Sequence, residues 1–365
     1  MTASSIVFRT DASLDIGTGH VMRCVTLAEA LREHGASCRF VCRAHPGNLI
    51  DLIRQRGFIV YAMPADPNWQ QREIEPAHAG WLGADWQTDA EQTKVGVGEM
   101  AVAWMIVDHY ALDNRWESAL RRHCGKIMVI DDLADRIHDC DLLLDQNLGR
   151  NPQDYAALVP GDCTLLVGAV FALLRPEFSA QREYSLARRS TPQLKHLLIT
   201  MGGVDKDDVT GRVLDALRVC SLPAVCRISV AMGPHAPWIA QVRETADNMP
   251  WQTKVLVNSS DMARLMADSD LAIGAAGGTS LERCCLGLPS LMLVLADNQR
   301  QGAQALQAAG AAWCIEASDL DHGLPKMLDA CCEANALQGM TEAAAAICNG
   351  SGVNHVVCHL SGLPV

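Results

Sequence analysis

Short apolar runs alternate with stretches of helical periodicity along most of the chain, the pattern of a parallel sheet joined by crossover helices. In the first half, residues 6–9, 38–43, 58–62, 104–108, 126–131 and 142–145 read as strands. Helical stretches at 21–34, 46–56 and 113–123 lie between them, and Gly35 and Gly57 stand where helix C-caps belong. A polar segment, 66–99, carries Trp69, Trp81 and Trp86 and reads as an insertion over a cleft. Several prolines and the charged stretch 182–189 mark 151–192 as a linker. Regular alternation then resumes, with strands expected at 197–200, 224–231, 254–257, 271–274, 291–294 and 313–315. The matching helices are expected at 208–219, 237–247, 262–267, 279–286 and 299–308. The pattern predicts an α/β chain of two doubly wound domains, 1–150 and 193–365. They are expected to face each other across a cleft at the C-terminal strand ends, where open α/β sheets bind ligands.

Composition narrows the partners. The 365 residues suit two domains, and 30 basic against 42 acidic side chains leave a formal charge of −12. That balance argues against a nucleic-acid or anionic membrane surface, though not against a local basic cleft for phosphates. The chain enters a strand-like run almost at once, with no signal-like segment and no membrane-length apolar stretch, so a cytoplasmic protein is expected. Fifteen cysteines, an odd number without a Cys-x-x-Cys pair, do not form a disulfide framework. Cys348, His355, Cys358 and His359 crowd the tail, but their spacing fits no standard zinc site. The run 353–360 reads instead as an amphipathic helix, and no metal or cofactor is expected.

The first chemical signal is Arg9-Thr10-Asp11-Ala12-Ser13-Leu14-Asp15-Ile16-Gly17-Thr18-Gly19-His20, which follows the first strand and opens the first helix. Gly17 and Gly19 allow a tight turn and a close approach to a ligand. A dinucleotide fingerprint would need glycine at Met22, and the second strand ends in Arg43 instead of a ribose-binding acid. His20 stands at a helix N-terminus, where the macrodipole opposes positive charge on the ring and suits it to accept a proton. The plainer reading is a loop histidine that only hydrogen-bonds; the double glycine and nearby Asp11 and Asp15 favour a general base.

A second signal runs from Leu271 through Gly277-Gly278-Thr279-Ser280 to Glu282, again strand, small-residue turn and helix. Its free amides, with Thr279 and Ser280, suit a diphosphate, and Glu282 one turn in suits ribose hydroxyls. A plain favourable charge near the helix start would also account for Glu282. Thr200-Met201-Gly202-Gly203 repeats the strand-to-glycine step. Asp139-Cys140-Asp141 and Asp268-Ser269-Asp270 spell the Asp-x-Asp of metal-dependent transferases, but both precede strands and read as turn or helix-end residues. Asp131-Asp132, Asp108-His109-Tyr110 and Gln146-Asn147 follow strands and face the expected cleft.

With these residues in hand, the sequence resembles the UDP-2,4-diacetamido-2,4,6-trideoxy-β-L-altropyranose hydrolases of pseudaminic acid biosynthesis. The likeness is carried by Phe8-Arg9-Thr10-Asp11-Ala12-Ser13, Ile16-Gly17-Thr18-Gly19-His20-Val21-Met22-Arg23-Cys24, Val107-Asp108-His109-Tyr110 and Ile130-Asp131-Asp132-Leu133-Ala134. It continues through Leu144-Asp145-Gln146-Asn147, Ala172-Leu173-Leu174-Arg175-Pro176-Glu177-Phe178, Met201-Gly202-Gly203 and Asp297-Asn298-Gln299. The second half also looks like the lipid II-forming N-acetylglucosaminyltransferase. Both families have the GT-B fold of two Rossmann-like domains. The resemblance implies metal-independent hydrolysis of a UDP-sugar at C1–O with inversion, releasing UDP. It makes His20 the base on water and Asn298 a residue at the reacting centre. It gives substrate-binding places to Arg9, Asp11, Gly17, Gly19, Asp108, His109, Tyr110, Asp132, Asn147, Arg175, Gly202, Gly203, Gly277, Gly278, Thr279, Ser280, Glu282 and Gln299. The Trp-bearing segment departs from that family, which leaves the sugar pocket's outline open. A UDP-sugar glycosyltransferase, a binding-only descendant and a 2-epimerase-type hydrolase stay as alternatives.

Overall fold

Strands buried on both faces need near-continuous apolar sequence, and Leu142–Asp145, His196–Thr200, Leu271–Ala275 and Ser290–Val294 are buried at every position. In the computed structural model, which describes residues 4–66, 68–70, 76–99, 101–331 and 335–362, contacts divide the chain into two units. One unit runs to Leu173 and takes up the chain again from Gly352; the other is Leu174–Ser351.

The first unit holds β1 (Ser5–Thr10), α1 (Gly19–Glu33), β2 (Ser37–Arg43), α2 (Ile50–Gln55), β3 (Ile59–Met63), α3 (Trp86–Val97), β4 (Val102–Asp108), α4 (Asn114–Leu120), β5 (Cys124–Ile130), β6 (Leu142–Asp145) and β7 (Thr164–Val167). Among the described residues its seven strands are ordered β3-β2-β1-β4-β5-β6-β7, all parallel. The winding reverses between β1 and β4, whose C-terminal residues Thr10 and Asp108 pair in register. Such a reversal leaves a crevice at the strand ends, because the chain departs to opposite faces on its two sides. The loop carrying His20 and the Asp108-His109-Tyr110 turn both start there.

The second unit holds α5 (Pro176–Arg188), β8 (His196–Thr200), α6 (Val209–Leu217), β9 (Arg227–Met232), α7 (Ile239–Asp247), β10 (Gln252–Val257), α8 (Met262–Asp268), β11 (Leu271–Ala275), α9 (Thr279–Cys285), β12 (Ser290–Val294), α10 (Asp297–Ala308), β13 (Ala312–Glu316), α11 (Leu320–Cys331) and α12 (Ala336–Ile347). Its sheet is ordered β10-β9-β8-β11-β12-β13, again parallel, and reverses between β8 and β11. Both glycine turns of the sequence, 202–203 and 277–278, leave the strands at that reversal.

Three boundaries differ from the expected ones. The segment 151–192 is not a plain linker: β7 extends the first sheet, and α5 packs on α8 and α9 of the second unit. A four-residue strand among prolines and a helix dense in charge give little periodic signal. The expected helix 353–360 is present as α13 (Gly352–Ser361), but it belongs to the first unit and not to a 193–365 domain. Val353, Val356, Val357 and Leu360 join the first core, and Trp104 Nε1 donates to the Leu360 carbonyl at 3.1 Å. An amphipathic pattern shows that a face is covered, not by which core. The segment 66–99, of which Pro67 and 71–75 lie outside the described residues, contributes α3, the crossover helix between β3 and β4. Asp85 caps it by accepting from the Thr88 amide at 2.7 Å. Among the described residues no helix is long and apolar enough to cross a membrane.

Candidate active site

In the first unit, the crevice between β1 and β4 gathers side chains from four strand ends around one arginine. Arg23, one turn into α1 from His20, donates to Asp108 through Nε at 2.6 Å and Nη2 at 2.7 Å. Its Nη1 reaches Asp132, after β5, at 2.6 Å. The same Asp132 carboxylate accepts from Tyr110 Oη at 2.6 Å and from Asn147 Nδ2, after β6, at 3.1 Å. Burial pushes the Asp108 carboxyl up, and Arg23 and then His20 more than offset it, holding the group below the usual carboxylate range.

His20 completes the cluster. Its Nδ1 lies 2.6 Å from Asp108 Oδ1. An ionised carboxylate can only accept, so Nδ1 carries the proton and Nε2 keeps its lone pair. Among the described residues Nε2 has no hydrogen-bond partner. The ring is 9% exposed and stands edge-on to Tyr110, with centroids 4.6 Å apart. Trp81 stacks on Tyr110 at 5.7 Å, and His78 leans on Trp81 at 4.4 Å. The Trp-bearing segment thus supplies an aromatic wall beside the histidine. A base held by a buried carboxylate and flanked by aromatic rings is equipped to take a proton from water.

Beneath the loop lies a second network that excludes water. Arg9 Nη1 meets Asp11 at 2.7 Å, and its Nε and Nη2 meet both oxygens of Asp89, on α3, at 3.0 and 2.7 Å. Asp89 also accepts from Arg43 Nη2 at 2.7 Å and Trp116 Nε1 at 3.0 Å. His109 Nε2 stands 3.3 Å from Asp11. Arg9, Asp11 and Asp89 are wholly buried. The structure therefore corrects the substrate-facing places given to Arg9, Asp11 and His109. Their side chains pair with one another under the loop and brace it. Gly17 adopts φ +79°, the left-handed turn that only glycine makes easily, while a side chain at Gly19 would meet nothing within 4 Å.

The second unit offers a different surface. Gly277 and Gly278 follow β11, and Gln299, on α10, brings its Nε2 to 3.9 Å from where a Gly277 side chain would begin. Gln299 Oε1 is fixed by the Leu295 amide at 3.1 Å. Thr279 is half-buried on the turn, but Ser280 is buried beneath it and accepts from Arg283 at 3.1 Å, which corrects its expected place among the phosphate-facing groups. Glu282, 17% exposed, lies 3.6 Å from Arg175, and burial raises its carboxyl to about 7. Gly202, at φ +92°, and Gly203 leave β8 beside this turn, and Asn298 is exposed at the start of α10.

Both Asp-x-Asp pairs serve the fold. Asp139 and Asp141 pair with Arg121, while Asp268 accepts from Tyr184 at 2.6 Å and Asp270 caps the Lys195 and His196 amides at 2.8 Å each. Sequence reading missed Arg23, which its i, i+3 spacing from His20 could have flagged. It also missed Asp89, for which helical periodicity carries no signal.

Residues 196–354 match the model of the glycosyltransferase family 28 C-terminal domain. Over 307 residues the chain is 25% identical to the UDP-2,4-diacetamido-2,4,6-trideoxy-β-L-altropyranose hydrolase of Campylobacter jejuni, covering 84% of this chain and 97% of that one. It is 30% identical over 171 residues to the spore coat polysaccharide biosynthesis protein SpsG of Bacillus subtilis, 47% of either chain. Among solved structures, MurG of Acinetobacter baumannii superposes with a TM-score of 0.71 at 15% identity, covering 99% of this chain and all of that one. That likeness gives the fold, GT-B. The resemblance carried by the motifs extends over most of the chain.

Proposed function

We propose that this protein hydrolyses a UDP-linked 2,4-diacetamido-2,4,6-trideoxy sugar at C1–O, with inversion, releasing UDP and the free sugar. The observation that carries this reading is the His20–Asp108 pair with an unpartnered Nε2. Water gives its proton to Nε2 as its oxygen bonds to C1, and the C1–O electron pair leaves on the phosphate oxygen of UDP. Asp108 orients the ring and balances the imidazolium that forms. UDP is a good leaving group, so the reaction asks more for charge stabilisation at the phosphates than for a strong acid. The cluster around His20 sets two carboxylates against one guanidinium, an environment that disfavours a diphosphate. UDP is therefore assigned to the second unit, its phosphates over Gly277-Gly278-Thr279 and its ribose at Glu282. Asn298 is assigned to the reacting centre. The reading extends to a protein of the cytoplasm, where nucleotide sugars are made.

A panel of UDP-sugars, each incubated with and without EDTA and scored for UDP release, tests the activity. The expected result is release from the diacetamido-trideoxy sugar without any acceptor, unchanged by EDTA. Release that requires an added sugar or lipid acceptor would instead make the protein a GT-B glycosyltransferase, the reading favoured by the family 28 match of its second unit. Loss on chelation, restored by Mg²⁺ or Mn²⁺, would remove the metal-independent mechanism.

Glu282 gives a second expected result. Glu282→Ala should weaken UDP binding by about 1–3 kcal/mol, the loss of charge-assisted bonds to the ribose. With its carboxyl raised to about 7, the accepting ionised form is lost as pH falls through neutrality. UDP affinity should therefore drop between about pH 8 and about pH 5.5, and drop less in Glu282→Gln, which isolates the side chain from titration of the phosphate. Equal pH profiles by calorimetry would remove Glu282 from the nucleotide site.

A further inference from the structure

In the second unit Arg283 is buried with few groups to meet its charge. Arg283, on α9, is wholly buried, and among the described residues no carboxylate forms an ion pair with it. Its Nη2 donates to the Ala275 carbonyl at 2.8 Å and to Ser280 Oγ at 3.1 Å, while Nε and Nη1 have no hydrogen-bond partner among the described residues. Glu282, next in the chain, lies 3.6 Å from Arg175 and makes no ion pair with Arg283, although its charge also acts on that guanidinium. Burial lowers the Arg283 guanidinium to about 10, which still leaves it charged at neutral pH.

Arg189 is also buried without a carboxylate, but it donates to the carbonyls of Ser185, Met266, Ala267 and Ser269 at 3.0, 2.9, 3.3 and 2.6 Å. Three of those carbonyls lie at the C-terminal end of α8, the negative end of a helix, so its charge is met. Arg283 has the opposite surroundings, against the first turn of α9 where unpaired amides are already positive. An isolated buried charge is strongly unfavourable unless an anion meets it. The sequence nonetheless makes room for it: a Cβ at Gly274, on β11, would fall 2.0 Å from Arg283 Nη1. Ala275 and Ser280, its two acceptors, stand on either side of the Gly277-Gly278 turn, so the guanidinium is tied to both ends of that turn.

We propose that Arg283 is the built-in counter-charge for the nucleotide's diphosphate, tied to the glycine turn and acting on the phosphates without touching them. The inference rests on the reading that the second unit holds UDP, and adds what neutralises the phosphates there. A fixed cation in a dry site acts most strongly on the charge that grows as the C1–O electron pair moves onto UDP, and needs no rearrangement at that moment. Arg283 is thus a positioning residue that acts through the field at the leaving group.

The experiment compares Arg283→Met and Arg283→Lys with the unaltered protein, measuring calorimetric affinity for UDP and for uridine, and Tm without ligand. Arg283→Met should lose at least about tenfold in UDP affinity and less than about twofold for uridine, because only the phosphates feel the charge. Its ligand-free Tm should hold or rise, since a buried charge without an ion pair has been removed, and Arg283→Lys should keep most of the UDP affinity. Equal losses for UDP and uridine, unchanged UDP affinity, or a Met variant that fails to fold while the Lys variant folds would each overturn the proposal. An unaltered protein that binds no UDP would overturn the site reading itself. The Tm comparison, which needs no ligand, separates the two failures.

Discussion

His20→Ala is expected to lower turnover by at least about a hundredfold while leaving UDP affinity nearly unchanged. The split follows from where the residue stands. His20 belongs to the first-unit crevice, with Nδ1 on Asp108 and Nε2 free of partners, whereas the groups assigned to UDP belong to the second unit. Removing the ring takes away the acceptor for the water proton and leaves the nucleotide's partners intact. The helix should survive, because His20 is its second residue and Asp108 keeps both bonds from Arg23. Single-turnover rates and UDP calorimetry on the variant check this. Near-normal turnover would remove the histidine from the mechanism, and a parallel loss of UDP affinity would recast it as a binding residue.

Asp108→Asn should reduce turnover by about a hundred- to ten-thousand-fold, although it removes no atom from reach of water. The carboxylate accepts four bonds, one from His20, two from Arg23 and one from the Cys24 thiol, and an amide offers only one oxygen to replace both acceptors. If the oxygen faces Arg23, the NH₂ group faces Nδ1 and drives the proton to Nε2, so the base presents a proton where it needs a lone pair. If the oxygen faces His20, the ring keeps its bond, but the NH₂ opposes Arg23 Nε and the charge that balanced the imidazolium is gone. The variant should also have a lower Tm, because Arg23 keeps only Asp132 as a charged partner. Arg23 and His20 hold the Asp108 carboxyl below the usual range, so its contribution is complete at neutral pH and fades only on acidification. The Tm gap between the unaltered protein and Asp108→Asn should therefore narrow as pH falls through the ordinary carboxylate range and below it. A variant with full activity would reduce the pair to a structural contact.

The alternation of apolar runs and helical stretches determined most of the elements, because strand burial in a parallel sheet leaves a mark in every few residues. All twelve expected strands are present, and so are the glycine turns that end β1, β8 and β11. Local chemistry was equally legible: a glycine-flanked histidine opening a helix, and acids that follow strands against acids that precede them. Tertiary structure decided what depends on residues distant in the chain. His20 and Asp108 are 88 positions apart and meet only because β1 and β4 are neighbours at the reversal of winding. Asp89 comes from a segment that looked like an addition, yet it locks Arg9 and Arg43 from below. The terminal helix announced an apolar face but not that it would cover the first core. Arg9, Asp11 and His109 looked ready for a substrate, since a charged residue at a strand end has the same sequence signature whether it faces a ligand or another buried charge. Periodicity reports that a side is covered, and only the fold reports what covers it.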